Sequence, residues 1–321
     1  MQIKRHLQAT LAGQAILLLT ATNSGEIAYT ATGGTPPPSK THYRFTAIDI
    51  PDQLFMAPLG PNDEGAAVGL YVDTTGHYHG FVWRDGKVAL VDAPGWAQTA
   101  LFAINDSDVI AASVYNDNLT ELHTAVYRPR EGTWTLIPDV PGHPIANNVA
   151  INNKGVLMGS SSQGDVGFYN NTVGWTWDGE SYSFFTVPGA SGSGYGFGTS
   201  PLGINDRGQV TGYYTDDLGL WHGFLKNRSN ITTFDVPGAD LTEPFGINDD
   251  GDIAGIYYIL SPTFQEQGFI YHAGHFVTVE VPGYGGPTGI NNRGEIVGTY
   301  QDSSGVWHGF VGTPDHDGCK D

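Results

Sequence analysis

Cysteine is almost missing: Cys319 is the only one in 321 residues. No internal disulfide can form, so the chain must be held together by its own core. Cations are scarce too, with 14 Lys and Arg against 33 Asp and Glu and a formal net charge of −19. Beyond Lys4 and Arg5 there is no basic stretch. A field of this sign repels phosphate backbones and anionic lipid, which excludes nucleic acid as a partner. No apolar run spans a bilayer, since the longest, Leu11–Leu19, is too short. Catalytic signatures are also missing: there is no G-x-S-x-G elbow, H-E-x-x-H helix, P-loop or dinucleotide glycine pattern.

What the chain has instead is glycine and aromatics: 45 Gly, 16 Tyr, 15 Phe and 7 Trp, with 19 Pro and only 15% charged residues. That balance favours many short strands joined by tight turns. Residues 1–24 read as a secretory signal, with Lys4 and Arg5 ahead of the apolar run and cleavage expected near Ser24. The expected address is therefore extracellular or periplasmic, with no membrane attachment after cleavage. Residues 25–42 read as a linker ending in "GGTPPPSK", and 315–321 as a polar tail.

Between them the chain repeats itself. "GINDRGQVTGYYTDDLGLWHGF" begins at Gly203 and "GINNRGEIVGTYQDSSGVWHGF" at Gly289. Asn62, Asn105, Asn152, Asn205, Asn248 and Asn291 open the same turn in six units, at spacings of 43, 47, 53, 43 and 43 residues. A small residue stands two positions before each: Gly60, Ala103, Ala150, Gly203, Gly246 and Gly289. Glycine stands three positions after, except in unit two, where Asp108 takes the slot. Each unit divides into four strand-like runs separated by Asn-x-x-Gly, Asp-x-x-Gly and Pro-Gly steps. Repeats of this length point to a propeller or a solenoid.

The chain ends decide between them. "YRFTAIDIPD" (43–52) matches the fourth run of the other units, and unit six stops at "VWHGFVGTP" without one. A spare strand in front and a vacancy behind predict a closed ring, an all-β six-bladed propeller over 43–314 whose N-terminal strand completes the last blade.

The motif GIN(D/N)xGxIVGxYxDxxGxxHGF, most complete in units four and six, resembles the extracellular HAF-repeat family of bacterial secreted proteins over 43–314. The resemblance implies secretion and a repeat architecture, and no particular reaction. The His-Gly-Phe tripeptide at His79, His222 and His308 becomes "HTA" at His123, "VGW" at Val173 and "QGF" at Gln267.

Those histidines invite a metal reading, and "HYH" places His77 and His79 on one face of a strand beside Asp73. Equivalent positions on different blades need not converge, so the expectation is packing and no metal or other cofactor. Asn248–Asp252 hints at calcium, but its glycine is fourth rather than sixth, as a turn requires. Loop aromatics carry the binding expectation: Phe55, Trp96, Tyr195, Phe197 and Tyr284, beside Asp73, Asp117, Asp216 and Asp302. Rings offer flat apolar platforms and carboxylates accept from hydroxyls. Unit three has the two largest insertions, "QGDVGFYNNTV" and "ASGSGYGFGTSP". The functional expectation is a monomeric, secreted, non-catalytic propeller that binds a glycan or another extracellular polymer. A hydrolase or lyase acting at the channel mouth and a structural envelope protein are the alternatives.

Overall fold

The Asn-x-x-Gly step forms the turn its residues call for. In unit four, Asn205 Oδ1 accepts the main-chain N–H groups of Arg207 (3.1 Å) and Gln209 (2.9 Å), and Gly208 N donates to the Asn205 carbonyl (3.0 Å). Gly208 takes φ +73°, a left-handed conformation that glycine enters without a Cβ penalty. The computed structural model describes residues 40–143, 145–162, 172–191 and 198–315. The expected signal segment and residues 316–321 of the expected tail lie outside them. No helix long and apolar enough to cross a membrane occurs among the described residues.

Two strands precede the first full unit, β1 (Lys40–Thr41) and β2 (Tyr43–Ile48). Blade one is β3 (Gln53–Pro61), β4 (Ala66–Asp73), β5 (Tyr78–Arg84) and β6 (Lys87–Val91). Blade two is β7 (Gln98–Ile104), β8 (Ile110–Tyr115), β9 (Leu122–Arg128) and β10 (Thr133–Leu136). Blade three is β11 (Ile145–Ile151), β12 (Leu157–Ser162), β13 (Val173–Trp177) and β14 (Tyr182–Phe185). Blade four is β15 (Thr199–Ile204), β16 (Val210–Thr215), β17 (Trp221–Asn227) and β18 (Asn230–Phe234). Blade five is β19 (Leu241–Ile247), β20 (Ile253–Ile259), β21 (Gln265–His272) and β22 (His275–Val279). Blade six is β23 (Tyr284–Ile290), β24 (Ile296–Gln301) and β25 (Trp307–Pro314), completed by β2.

The protein is thus a six-bladed β-propeller with four antiparallel strands per blade, as the chain ends required. β2 pairs antiparallel with β25 from Tyr43↔Pro314 to Ile48↔Gly309 and closes the ring. One expectation is corrected. The segment 25–42 is not wholly linker, because β1 pairs in parallel with the outer edge of β22 at Lys40↔Thr278 and Thr41↔Val279. Two residues held through their backbone leave no periodic pattern to read.

The repeat motif has a packing explanation. The third-strand Phe lies over a second-strand glycine directly opposite it: Gly69↔Phe81, Gly212↔Phe224, Gly255↔Phe269 and Gly298↔Phe310, with Gly159↔Trp175 in blade three. All five rings are fully buried. A Cβ on Gly298 would sit 2.5 Å from the Phe310 ring. Blade two changes both partners together, to Ala112↔Ala125. The tripeptide glycine serves the neighbouring blade: a Cβ on Gly309 would meet Pro58 at 2.7 Å, and one on Gly268 would meet Pro287 at 2.5 Å.

Candidate functional site

At the axis, each repeat asparagine bonds to the next blade. The Nδ2 groups of Asn62, Asn105, Asn152, Asn205, Asn248 and Asn291 donate to the carbonyls of Asn105, Asn152, Asn205, Asn248, Asn291 and Asn62, at 2.9 to 3.4 Å. The following residue repeats the pattern from side chain to backbone, so that Asp63 N donates to Asp106 Oδ1 and, at the closure, Asn292 N donates to Asp63 Oδ1, both at 2.8 Å. The small-residue ring allows this approach, since a Cβ on Gly60 would lie 2.6 Å from Ala103 Cα. The hub is therefore a structural joint with its polar groups already engaged.

The repeated histidines are clamps. His222 Nδ1 is 2.9 Å from Asp235 Oδ2 and Nε2 is 3.3 Å from Asp216 Oδ2. His308 sits between Asp49 (2.7 Å) and Asp302 (3.3 Å), His79 between Asp92 (2.9 Å) and Asp73 (3.5 Å), and His123 between Asp139 and Glu121 (both 3.1 Å). Each clamp joins the turn between strands two and three to the end of strand four. In two blades the imidazole also stacks on a tyrosine, at 5.1 Å (Tyr71) and 5.0 Å (Tyr300), and in blade four it lies tilted against Tyr214 at 5.2 Å. The hydrogen bond to Asp235 raises the His222 pKa above its ordinary value against the opposing effect of partial burial, and Asp49 does the same for His308. Asp73 is held well below the carboxylate range, first by the His77 main-chain N–H, and Asp302 is lowered first by that of Val306.

The candidate residues therefore have the following places. Asp73, Asp216 and Asp302 cap turns and brace histidines. His77 and His79 do not form a pair: His77 meets Thr75 Oγ1 (2.6 Å) and Asp117 (3.1 Å), while His79 meets its own two carboxylates. Among the described residues no group of three or more His, Cys, Asp or Glu is arranged to hold a metal ion. Phe55 is a strand residue of β3, not a loop aromatic, and packs edge-on against Trp307 at 5.1 Å. Trp96 is half-buried, its ring 5.2 Å from that of His123. Tyr195, Phe197 and most of the unit-three insertions lie outside the described residues. Tyr284 is exposed, and it shares one groove with Asp302.

That groove, of about 1090 Å³, lies between blades five and six on the face that carries the strand four to strand one loops. Phe264, Gln265, Glu266, Glu280, Tyr284 and Asp302 line it. Its acidic and amide groups accept hydrogen bonds, and among the described residues no Lys or Arg lines it. Sequence reasoning passed over Phe264, Gln265, Glu266 and Glu280, although unit five gave a signal. Gln267 replaces the clamp histidine, and Glu266 stands where Trp221 and Trp307 stand in blades four and six. Glu243 stands where Ala57, Ala100, Ser200 and Gly286 stand. Glu243 is fully buried, accepts from the Tyr258 hydroxyl (2.9 Å), and is pushed up to about 8 by burial, with Glu266 adding to the shift.

No family model and no curated protein matches this chain. Solved structures do. A gluconolactonase from Xanthomonas campestris is 14% identical with a TM-score of 0.52, over 89% of this chain and 99% of that one. The β-propeller domain of the Trilobed protease from Pyrococcus furiosus, whose topology is described as open velcro, is 9% identical with a TM-score of 0.51, over 80% and 94%. Aleuria aurantia lectin is 10% identical with a TM-score of 0.48, over 81% and 93%. At these identities the likeness is one of fold.

Proposed function

We propose that the protein is a binding propeller whose ligand, a polyhydroxylated molecule of the glycan class, lies in the groove between blades five and six. One observation carries this reading. Blades one, two, four and six tie strand four to the preceding turn with a histidine clamped between carboxylates; blades three and five lack that histidine, and in blade five the groove opens beside its replacement, Gln267. The groove offers the exposed Tyr284 ring as a platform and Glu280 and Gln265 as acceptors for hydroxyl groups. The lack of cations in its lining favours a neutral ligand over an anion. The regularity of the other blades and the missing catalytic motifs favour binding over turnover. The HAF-repeat resemblance and secretion agree with a role outside the cell, and both rest on the sequence.

A glycan array followed by calorimetry on the best binder tests this. Tyr284→Ala and Glu280→Gln should fold as the parent does and lose about tenfold or more in affinity, since each removes a contact worth about 1.4 kcal/mol or more. Trp96→Ala, outside the groove, should lower the melting temperature and leave affinity intact. Unchanged binding in the first two variants, or no binder in a broad panel, overturns the reading. Release of product from a bound saccharide would move it to a hydrolase or lyase.

A further inference from the structure

A second groove lies on the opposite face, between blades one and two, and encloses about 370 Å³. Val82, Val91, Ile104, Ile110 and Tyr127 form apolar walls, and Arg84, Lys87 and Asp108 stand at the rim. Both the space and the charge differ from those at the junction of blades four and five. Between blades four and five the corresponding space is filled, because Phe234 takes the place of Val91 and stacks on Tyr271, the counterpart of Tyr127, at 5.3 Å and 7°. Blade one leaves that ring out.

The rim is charged where blade four is neutral. Arg84 and Lys87 replace Asn227 and Asn230, in a chain with only 14 cations. Asp108 replaces the turn glycine and keeps its left-handed backbone, φ +62°. For a non-glycine residue that conformation is unfavourable, and the side chain supplies a return. Asp108 Oδ1 accepts from Arg84 Nη2 (2.5 Å), and Oδ2 accepts from Arg130 Nη2 (3.1 Å) and Nε (3.3 Å). One carboxylate thus holds two guanidinium groups beside the groove, and each keeps further N–H donors. No carboxylate of the described residues pairs with Lys87.

We infer that this groove binds a small aromatic carboxylate. The ring takes the space Phe234 fills in blade four, lying against Tyr127. The acid group meets Arg84 and Lys87 at the rim, the complement of the carboxylate-lined groove on the other face. A bidentate guanidinium contact together with a second cation discriminates an acid from an alcohol or an amine of the same shape.

Calorimetry on the whole chain with 3-phenylpropionate, 3-phenylpropan-1-ol and 3-phenylpropylamine tests the inference. The acid should saturate one site, the alcohol should bind about tenfold or more weakly, consistent with loss of one charge-assisted contact, and the amine should not bind. Val91→Phe supplies the ring present in blade four; it should melt at or above the parent temperature and lose the acid. If that variant does not fold, Arg84→Asn/Lys87→Asn, which installs the blade-four residues, decides alone by reducing acid affinity to that of the alcohol. No saturation by the acid at millimolar concentration, equal binding of the amine, or retained acid binding in whichever variant folds overturns the proposal.

Discussion

At the scale of single residues, the histidine clamp couples stability to pH in a definite direction. His222 and His308 have folded-state pKa values above their ordinary value of 6.5. Their contribution is complete below that value and is lost as pH rises through the raised one. Asp302 is lowered from 3.8, so its share is present above 3.8 and is lost as pH falls through the lowered value. Each clamp is partly exposed, so solvent screening keeps its contribution small. An NMR titration of the His222 ring should show a midpoint above 6.5 that moves down in Asp235→Asn. An unmoved midpoint would mean that the carboxylate does not hold the ring. The histidines were visible in the sequence as a repeat and Asp73 was placed beside His79, but the carboxylates that meet them from the end of strand four were not legible. His308 finds Asp49 from 259 residues away, and only ring closure brings the two together.

At the scale of elements, the turns carry the strongest sequence signal and give the sharpest stability test. Gly294 has φ +72°, and the nearest atom an added Cβ would meet is Pro314 Cγ at 3.5 Å. Space is therefore available and the backbone is the obstacle. Gly294→Val should cost about 1–3 kcal/mol, because a β-branched side chain resists the left-handed region. Chemical denaturation reads this directly, and an unchanged midpoint would refute the turn geometry. The strands were legible from their residues, whereas the cross-strand match of Gly298 with Phe310 emerged only from the register. Less legible were Pro58, Pro201, Pro244 and Pro287 inside first strands, where proline ordinarily ends a ladder. Each stands at a register shift, at Pro58/Gly60, Pro201/Gly203, Pro244/Gly246 and Pro287/Gly289, where a bulge tolerates the missing donor. The candidate groove stayed hidden for a different reason. It is built from places where unit five stops obeying the motif, and a search for the motif passes over its own exceptions.

At the scale of the whole molecule, closure rests on β2. Deleting residues 1–52 removes the outer strand of blade six and Asp49, and exposes the β25 edge. Size-exclusion chromatography should then show association through that edge, with a lower melting temperature. A monomeric deletion variant as stable as the parent would show that the ring holds without its closing strand.

The axial bonds also bear on how such a chain can arise by copying. Each unit contributes one amide donor to the blade after it and one carbonyl acceptor to the blade before it, all in the same rotational sense. A duplicated unit brings its own donor and its own acceptor, so insertion leaves no hub group without a partner, and loss of a unit removes one of each. The hub is neutral to blade number, which curvature and close packing of the inner strands must fix instead. Descendants of one 43-residue unit could therefore be added in register before any of them acquired a distinct surface. Divergence is then free to concentrate at the outer strands and loops, where blades one, two, three and five depart from the motif.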